Sequence, residues 1–484
     1  MKCVSWLVIA VVAMGVSRGE GLSAAELESK PLNIVLLLVD DLGWSDIGCY
    51  GADLHETPHI DRLASRGMRF TDAYAAASIC SPTRASIMTG KYPARIPMTI
   101  WHERAAAGPE QGRKLLPPES LANLPHDEIT LAEVLQEAGY LTAHIGKWHL
   151  GTAGYYPETQ GFDVNIGGTF WGAPATFHYP FAGAWSDGEL RYVPGLGPGS
   201  PDDYLTDRLT DKAVQFMEEA GDRPFFLNMW YHTVHSPIEG KPEIAEKYQK
   251  KIKPCLHHQN AHYAAMVQSL DESVGRILET LERRGIAERT VVFFTSDNGG
   301  VVNRVRQGVP TSNFPLRSGK GSLYEGGIRE PWIVYWPGVT PAGSVCNEPV
   351  STQDLYPTIL DIAGATDRSK WNDVVDGVDL VPLLKDPAAM LPRDALYWHF
   401  PHYYPTTTPA SAIRVGDWKL IQYFEEDRVE LFNLREDLRE QQDLAESNPQ
   451  QAEKLLRQLK AWQTSVGAGI PVANPAFGAG SKTK

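Results

Sequence analysis

A short segment that begins at a cysteine has the residue types and spacing of a reactive site. It reads Cys80-Ser81-Pro82-Thr83-Arg84. Pro82 favours the first turn of a helix, which would direct free backbone N–H groups and the positive end of the helix dipole toward the Cys80 side chain. Arg84 lies one turn further on, so its guanidinium can return to the same point. The segment predicts an anion site beside Cys80. The alternative is a buried structural cysteine, which is what an isolated cysteine usually is.

Oxygen-bearing side chains follow two apolar runs that read as buried strands. Asp40 and Asp41 come directly after the first run, and Asp297 and Asn298 follow a later one. Ligation by oxygen alone selects a hard cation, Ca²⁺ or Mg²⁺. Neighbouring residues of a strand point to opposite faces, so both aspartates reach one ion only if the chain leaves strand geometry there. A turn or helix cap would explain Asp-Asp alone, and the second pair favours a metal site.

Basic side chains and imidazoles occupy the ends of further apolar runs. Lys147 and His149 are two residues apart and would point the same way on an extended segment. His232 and His235 follow another run, and spacing alone leaves either as the active imidazole. Lys320 lies between two glycines, which let the backbone and its side chain approach a ligand closely. Read singly, each of these groups would more often be a surface residue.

The elements that must position these groups alternate between strands and helices. Continuous apolar, branched runs predict strands buried on both faces of a parallel sheet at 33–39, 141–145, 224–230, 290–295 and 332–336. Helical patterns lie between them at 57–66, 130–139, 206–219, 262–284 and 352–363. In open α/β sheets, ligands bind beyond the carboxyl ends of the strands. The polar motifs fall at those ends.

After residue 384 the pattern changes to short strand-like pieces at 395–400, 412–424 and 428–433, followed by a helix at 450–462. We therefore predict an α/β fold with a large mixed, mostly parallel sheet sandwiched by helices, and a small C-terminal subdomain of antiparallel sheet plus helix. The predicted divisions are a signal peptide over 1–25, a catalytic domain over 31–384, the subdomain over 385–466 and an irregular tail over 467–484.

Composition limits the cellular setting and the partners. The chain begins with a basic residue, an apolar run over 3–16 and then small residues, a pattern that predicts a secretory signal. The run is shorter than the roughly 20 residues of a spanning helix, which argues against a retained membrane anchor. The protein is therefore expected to be exported, periplasmic or secreted, without a membrane span. Four cysteines beyond the predicted signal are too few for a disulfide framework in 484 residues. A net charge of -14 argues against nucleic acid as a partner.

The Cys80 segment, with Thr89-Gly90-Lys91-Tyr92 downstream, resembles the C-x-P-x-R signature of type I, formylglycine-dependent sulfatases in the alkaline phosphatase-like superfamily. The resemblance covers nearly all of 33–434. It implies that a formylglycine-generating enzyme oxidises Cys80 to formylglycine, which attacks a sulfate ester. It also implies a calcium ion, with Mg²⁺ as the other candidate, held by residue 80 together with Asp40, Asp41, Asp297 and Asn298.

The resemblance also assigns roles to the remaining motifs. Arg84 would hold the hydrated aldehyde. Lys147 and Lys320 would bind sulfate. His235 is favoured over His232 to protonate the leaving sugar oxygen, and His149 would take the proton whose loss expels sulfate.

The overall pattern is similar to bacterial carbohydrate sulfatases and arylsulfatases, including enzymes that act on terminal galactose or N-acetylgalactosamine sulfates. We expect an exo-acting enzyme on a sulfated saccharide. Aromatic and histidine-rich pieces at 101–104, 170–171, 178–179 and 397–404 are candidates for the sugar pocket, with His399 and His402 as substrate-binding groups. The alternatives are a phosphodiesterase or phosphonate monoester hydrolase of the same superfamily, and a non-catalytic protein that binds sulfated glycans if Cys80 is unmodified.

Overall fold

The computed structural model describes residues 31–110, 112–185 and 188–477. The predicted signal peptide and the last seven residues of the predicted tail lie outside this range. The strands are Asn33–Val39 (β1), Met68–Phe70 (β2), Ala73–Tyr74 (β3), Leu115–Leu116 (β4), Leu141–Gly146 (β5), Val164–Ile166 (β6), Ala182–Ala184 (β7), Leu190–Tyr192 (β8), Phe225–Trp230 (β9), Thr290–Ser296 (β10), Trp332–Tyr335 (β11), Ser344–Cys346 (β12), Val350–Ser351 (β13), Leu396–Phe400 (β14), Ala410–Val415 (β15), Trp418–Tyr423 (β16), Arg428–Asn433 (β17) and Val472–Ala473 (β18).

The helices alternate with these strands through most of the chain. They are Pro58–Arg66 (α1), Cys80–Thr89 (α2), His102–Ala107 (α3), Leu131–Glu137 (α4), Leu205–Glu219 (α5), Pro242–Gln249 (α6), Ala261–Arg283 (α7), Glu325–Ile328 (α8), Leu355–Ile362 (α9), Val381–Lys385 (α10) and Pro449–Ser465 (α11). The predicted capping box of α4 is present, with the Thr130 side chain accepting from Glu133 N and the Glu133 side chain accepting from Thr130 N.

An eight-stranded sheet in the order β12-β2-β11-β10-β1-β9-β5-β6 forms the centre of the molecule. The run from β10 to β6 is parallel, while β11 is antiparallel to both β10 and β2, which makes the sheet mixed as predicted. Strand β1 is buried along its whole length. Alternate residues of β1 enter two different hydrophobic clusters, so helices cover both faces. This explains why the central strands read as unbroken apolar runs.

The predicted C-terminal subdomain is a four-stranded antiparallel sheet in the order β14-β15-β16-β17, against which α11 packs. One prediction here was wrong, because 412–424 is two strands and not one. The chain turns at Gly416 and Asp417, where Gly416 adopts a φ of 55° that favours glycine. The predicted irregular tail also contributes β18, which pairs with β4.

A buried ion network joins this sheet to the main part of the molecule. Lys419 Nζ, on β16, lies 2.8 Å from a carboxylate oxygen of Glu325, on α8, and 2.9 Å from one of Glu440. All three side chains are fully buried. Burial opposes ionisation of Glu325, but Lys419 and neighbouring arginines lower the pKa of that carboxyl to about 2. The network therefore depends on the Lys419 charge.

Replacing Lys419 with methionine is expected to destabilise the protein by about 3 kcal/mol, because it removes the cation paired with the buried Glu440 and leaves Glu325 only its arginine partners. Urea unfolding followed by tryptophan fluorescence measures this. Lys454→Met, at an exposed lysine of α11, is the matched control. A loss below about 1 kcal/mol for Lys419→Met, similar to that of an exposed pair, would contradict a structural role for the network.

The four cysteines of the described chain, Cys49, Cys80, Cys255 and Cys346, are all free thiols. Within the described residues, no helix is both long and apolar enough to cross a membrane.

Candidate active site

Cys80 occupies the first position of helix α2 and is almost completely buried. The residue before the helix is Ile79, whose side chain cannot accept a hydrogen bond, so the backbone N–H groups of the first turn keep no side-chain cap. Burial raises the pKa of the Cys80 thiol to about 11. Lys320 Nζ lies 3.4 Å from its sulfur. The position suits an anion, whereas the thiol itself stays protonated and is a poor nucleophile.

Arg84 lies one turn into the same helix, with no solvent exposure. Its Nε donates to Asp297 Oδ2 at 2.9 Å, and its Nη1 donates to the Lys147 carbonyl at 2.8 Å. The guanidinium also lies 5.1 Å from the Trp230 ring centroid. Arg84 therefore links the cysteine helix to the ends of strands β10, β5 and β9.

The predicted acidic residues converge at the carboxyl ends of β1 and β10. Asp41 has a φ of 61°, in the left-handed region, so the chain leaves strand geometry directly after Asp40. Asp41 N then donates to Asp297 Oδ1 at 3.2 Å, and Asn298 Nδ2 donates to Asp41 Oδ1 at 2.7 Å. The turn at Asp41 is what allows both aspartates to face one point.

The donor set fits a hard cation. Ligand atoms of Asp40, Asp41, Cys80 and His235 all lie within 4.8 Å of one another. Asn298 Oδ1 is buried and has no hydrogen-bond partner, which leaves it free to ligate. Burial raises the pKa of Asp40 to about 8, and the carboxylate of Asp297 acts in the same direction. A divalent cation would offset the cost of holding these carboxylates together.

The predicted sulfate-binding lysines contact the same aspartates. Lys147 Nζ lies 2.8 Å from Asp40 Oδ2, and Lys320 Nζ lies 2.7 Å from Asp41 Oδ1. Burial works against the charge on each lysine, but its aspartate partner keeps the pKa of both above the ordinary value. Both lysines are therefore charged groups that flank Cys80.

The predicted His149 also has a φ in the left-handed region, 63°, and its ring is buried. Its Nε2 lies 2.6 Å from Glu103 Oε2, while its Nδ1 is buried without a hydrogen-bond partner. Since the carboxylate must accept a proton from Nε2, the unshared pair is on Nδ1. A Cβ at Gly172 would come within 2.4 Å of the ring, so only glycine leaves room for it.

The two candidate histidines after β9 occupy different environments. His235 Nε2 lies 3.5 Å from Asp41 Oδ2, and its Nδ1 donates to the Ser236 carbonyl at 2.8 Å. Burial lowers the pKa of His235 to about 3. His232 is buried, and neither of its ring nitrogens has a hydrogen-bond partner. His235 is the one that lines the pocket at Cys80.

That pocket has a volume of about 280 Å³ and ends at Cys80. Its walls include Trp101, Trp185 and Tyr404 together with Arg191. The rings of Trp101 and Tyr404 meet edge to face with centroids 5.8 Å apart, and the Arg191 guanidinium lies 4.3 Å from the centroid of Trp185. Aromatic surfaces beside a cationic, anion-binding floor suit an organic anion.

Comparison with known families agrees with this geometry. A model of the sulfatase family matches residues 32–365, and a model described as N-sulphoglucosamine sulphohydrolase, C-terminal, matches residues 319–465. The chain belongs to the sulfatase family. This sulfatase is a sulfuric ester hydrolase with the alkaline phosphatase-like fold predicted from its sequence.

Named relatives span most of its length. A sulfatase of Formosa agariphila is 33% identical over 90% of this chain and 89% of its own. An N-acetylgalactosamine-6-sulfatase of Canis lupus familiaris is 37% identical over 75% of this chain and 68% of its own. A crystal structure of Ps i-CgsB in complex with k-i-k-neocarrahexaose superposes with a TM-score of 0.73 at 30% identity, covering 90% of this chain and 93% of that one.

The sulfatase pocket does not include two residues predicted to bind substrate. His399 Nδ1 hydrogen-bonds Ser411 Oγ at 2.6 Å across the β14–β15 pair, and its Nε2 donates to the Gly469 carbonyl at 2.8 Å. His402 Nε2 lies 2.8 Å from Thr99 Oγ1. Neither histidine is among the residues that line the pocket at Cys80. The ring of His399 is bonded within the C-terminal part of the chain and that of His402 joins it to Thr99, so this placement does not support substrate binding by them.

Sequence reasoning also overlooked a residue of this sulfatase site. Glu103 lies in the aromatic piece at 101–104 that is a candidate for the sugar pocket, but in the structure it pairs with His149 and accepts from Gly172 N at 2.9 Å. Burial opposes its ionisation, but His149 keeps the pKa of Glu103 below its usual range. The two residues of the pair are 46 apart in the chain. No periodic signal links them.

Proposed function

We propose that the protein removes sulfate from a terminal sugar of a sulfated saccharide, with formylglycine at position 80 and a bound calcium ion. The observation that carries the proposal is the convergence on Cys80 of a helix N-terminus, two charged lysines, a carboxylate cluster and two imidazoles with different partners. Cys80, His149, His235 and Lys320 line one aromatic-walled pocket. The carboxylate cluster adjoins it through Asp41, which lies 2.7 Å from Lys320 and 3.5 Å from His235.

Position 80 favours a modified side chain over a thiol. The pKa of the thiol, which burial raises to about 11, keeps it neutral at physiological pH. Formylglycine there would supply a geminal diol, whose hydroxyl is the nucleophile toward sulfur. Lys320 Nζ, 3.4 Å from the Cys80 sulfur, is placed to stabilise an oxygen at that position. Arg84 fixes the helix below it through Asp297 and the Lys147 carbonyl.

The carboxylate cluster would hold the cation through Asp40, Asp41, Asp297 and Asn298. When bound, Ca²⁺ would polarise the sulfate group and neutralise part of its charge. The side chains Lys147 and Lys320 then have a second role, because their charges can offset the negative oxygens of the ester. The contacts of Lys147 with Asp40 and of Lys320 with Asp41 bring both ammonium groups to the carboxylate cluster.

Two proton transfers are assigned to the two imidazoles. His235 faces the cluster through Nε2, since its Nδ1 donates to the Ser236 carbonyl. In the neutral ring Nε2 has an unshared pair, so it would first take up a proton, which the anionic ester favours, and would then give that proton to the leaving sugar oxygen, with Lys320 beside it. His149 keeps an unshared pair on Nδ1 because Glu103 holds its Nε2 proton. It would accept the proton whose loss from residue 80 expels sulfate.

A saccharide substrate is supported by the pocket walls and by the relatives. Trp101, Trp185 and Tyr404 offer flat apolar surfaces on which a sugar ring can stack. A volume of about 280 Å³ lies at the small end of ligand pockets and favours one terminal residue over a long chain. Related proteins include an N-acetylgalactosamine-6-sulfatase and a protein solved with k-i-k-neocarrahexaose. We accordingly propose a sulfated galactose or N-acetylgalactosamine terminus.

A panel of defined sulfated saccharides tests this proposal directly. Release of sulfate from a saccharide with a terminal sulfated galactose or N-acetylgalactosamine, and not from the same sugar held inside a polymer, is the expected result. Equal loss of internal sulfate would show an open cleft and not an exo pocket. Phosphate and phosphonate monoesters are included, because a faster rate on them would assign the chain to the phosphohydrolase alternative.

The two histidines should give different kinetic defects. His235→Ala is expected to slow hydrolysis about 10²- to 10⁴-fold for sugar sulfates, and much less for activated aryl sulfates, whose leaving group departs without a proton. His149→Ala should instead give a burst of phenol from an aryl sulfate followed by slow turnover, with sulfate retained by the protein and visible as added mass after a rapid quench.

His262→Ala, at an exposed histidine of α7, is the matched control for both variants. Glu103→Gln should behave as a weaker His149→Ala, because it loosens the imidazole without removing it. Identical leaving-group dependence for His235→Ala and His149→Ala, with no burst in either, would contradict this division of roles.

The proposal includes export through the predicted signal peptide and maturation by a formylglycine-generating enzyme. N-terminal sequencing of protein secreted from its own host, with cleavage near residue 25, is the expected result. Retention of residues 1–25 in the mature protein would contradict it.

A further inference from the structure

A second group of potential metal ligands lies outside the pocket at Cys80. Asp46, His55 and His258 are all buried, and each offers a ligand atom within 4.8 Å of the others. Asp46 and His55 belong to the loop after β1, and His258 precedes α7. The mechanism above uses none of these side chains.

Both imidazoles are held in the manner of metal-binding histidines. His258 Nδ1 lies 2.6 Å from Asp53 Oδ1, and His55 Nδ1 lies 2.8 Å from the Asp46 carbonyl. Each acceptor takes a proton from Nδ1, so the Nε2 atoms are the ones that can ligate a metal ion. Burial opposes a charge on His258, but Asp46 and Asp53 raise its pKa, so a bound metal ion would displace the proton from its Nε2. Histidine ligands in metalloproteins commonly donate their second ring N–H to a carboxylate or a backbone carbonyl in this way.

The contact between His258 and Asp46 is close without being a well-formed hydrogen bond. His258 Nε2 lies 3.2 Å from Asp46 Oδ1, yet this buried nitrogen has no partner with hydrogen-bond geometry. Two donor atoms that each lie about 2.0–2.2 Å from one metal ion are roughly as far apart as His258 Nε2 and Asp46 Oδ1 are here. The rings of His55 and His258 are adjacent, with centroids 4.5 Å apart.

Asp46 is oriented so that one carboxylate oxygen faces this point. Its Oδ2 accepts from Gly43 N at 2.7 Å and from the Tyr263 hydroxyl at 2.6 Å, which fixes the group. Its Oδ1 faces His258 and the Thr311 hydroxyl. Asp53, whose side chain is partly exposed, connects the cluster to the surface through His258.

We propose that Asp46, His55 and His258 form a structural zinc site, separate from the calcium site. Two imidazoles and one carboxylate are a ligand set that Zn²⁺ takes, and it is unlike the all-oxygen set preferred by Ca²⁺. A bound ion would draw the imidazoles closer and take water or Thr311 as a further ligand. It would join the loop after β1 to the segments before α7 and around residue 311.

The site would also support the active-site turn. Tyr263, which orients Asp46, lies with its hydroxyl 3.3 Å from the Asp41 carbonyl. Zinc bound at Asp46 would thus hold the loop that carries Asp41 from one side, without contacting substrate.

The test measures metal content and spectra of the tag-free full chain in saturating Ca²⁺. After incubation with Zn²⁺ and dialysis, the wild type should retain one equivalent of zinc by elemental analysis, and Co²⁺ in its place should give the visible d–d bands of a four-coordinate site. His258→Gln should lose both signals. Asp53→Asn, which removes only the carboxylate behind His258, should weaken zinc binding about 10- to 100-fold.

Two control variants separate this site from other zinc ligands. His262→Gln changes an exposed histidine close in sequence and should bind like the wild type. Asp41→Asn damages the calcium cluster and should keep the zinc, so failure of the proposed catalytic mechanism would not affect this result. If the wild type retains no zinc, or if His258→Gln retains as much as the wild type, the group is only a hydrogen-bonded network and the proposal is wrong. If His258→Gln does not fold, the proposal is decided by the cobalt spectrum of the wild type and by the zinc affinity of Asp53→Asn. Absence of the four-coordinate bands, or unchanged zinc affinity in Asp53→Asn, would then contradict it.

Discussion

Cys80→Ala is expected to abolish sulfate ester hydrolysis, with a loss on the order of 10⁶-fold, as for removal of other covalent nucleophiles. The reaction needs the nucleophile at position 80, because no neighbouring group can replace it. Burial also raises the pKa of an unmodified thiol at this position to about 11. Both lysines and both imidazoles remain in the variant, so substrate binding should persist. Steady-state assays with a sugar sulfate and equilibrium binding of the same compound measure the two effects.

The controls examine the chemistry at position 80. Peptide mapping of active wild-type protein should find formylglycine there, and protein from a host without the converting enzyme should carry a thiol and be inactive. Cys255→Ala removes an exposed thiol and should leave activity unchanged. Full activity in protein with an unmodified Cys80 would falsify the proposed mechanism, and wild-type behaviour of Cys80→Ala would do so equally.

The sequence was most informative where one short segment sets the local structure. The strand Asn33–Val39 and the helix that begins at Cys80 form as predicted, because an unbroken apolar run and a proline in the first turn each leave few alternatives. The strand-end motifs around Lys147 and His235 converge because parallel strands present their carboxyl ends at one edge. These features depend on local chemistry plus one rule of sheet geometry.

Features that depend on distant contacts were not predictable in the same way. Glu103 reaches His149 across 46 residues, and the pair depends on room left by Gly172. His399 is paired with Ser411 by the register of β14 with β15 and contacts the Gly469 carbonyl, which composition does not reveal. The hairpin at Gly416 was overlooked because a Gly-Asp pair inside an apolar stretch resembles an interruption as much as a turn.

Removal of the cation proposed for the active site is the second change with a large expected effect. Chelation should reduce activity to background, and Ca²⁺ alone should restore it. The structure gives a specific reason, since Lys147 Nζ and Lys320 Nζ lie 2.8 and 2.7 Å from Asp40 and Asp41. A cation bound there would take up the carboxylate charge, so that the charges of both lysines can act on the sulfate group.

Variants of the carboxylate cluster distinguish loss of the bound cation from general destabilisation of the fold. Asp297→Ala should lose calcium and activity together, because it removes a proposed ligand and also the carboxylate that orients Arg84 and the Asp41 backbone. Asp376→Asn, at a carboxylate that pairs with Arg95, is the matched control and should retain both.

Calcium at 100 times its Kd should stabilise the wild type by about 2.7 kcal/mol, and this increment should vanish in Asp297→Ala. Because a chelator also strips zinc from the site proposed at Asp46, restoration must be tested with Ca²⁺ as the only added metal. Full activity of protein that elemental analysis shows to be free of metal would contradict the assignment. Recovery of activity with Zn²⁺ but not with Ca²⁺ would instead indicate that the ion required for activity binds at Asp46, His55 and His258.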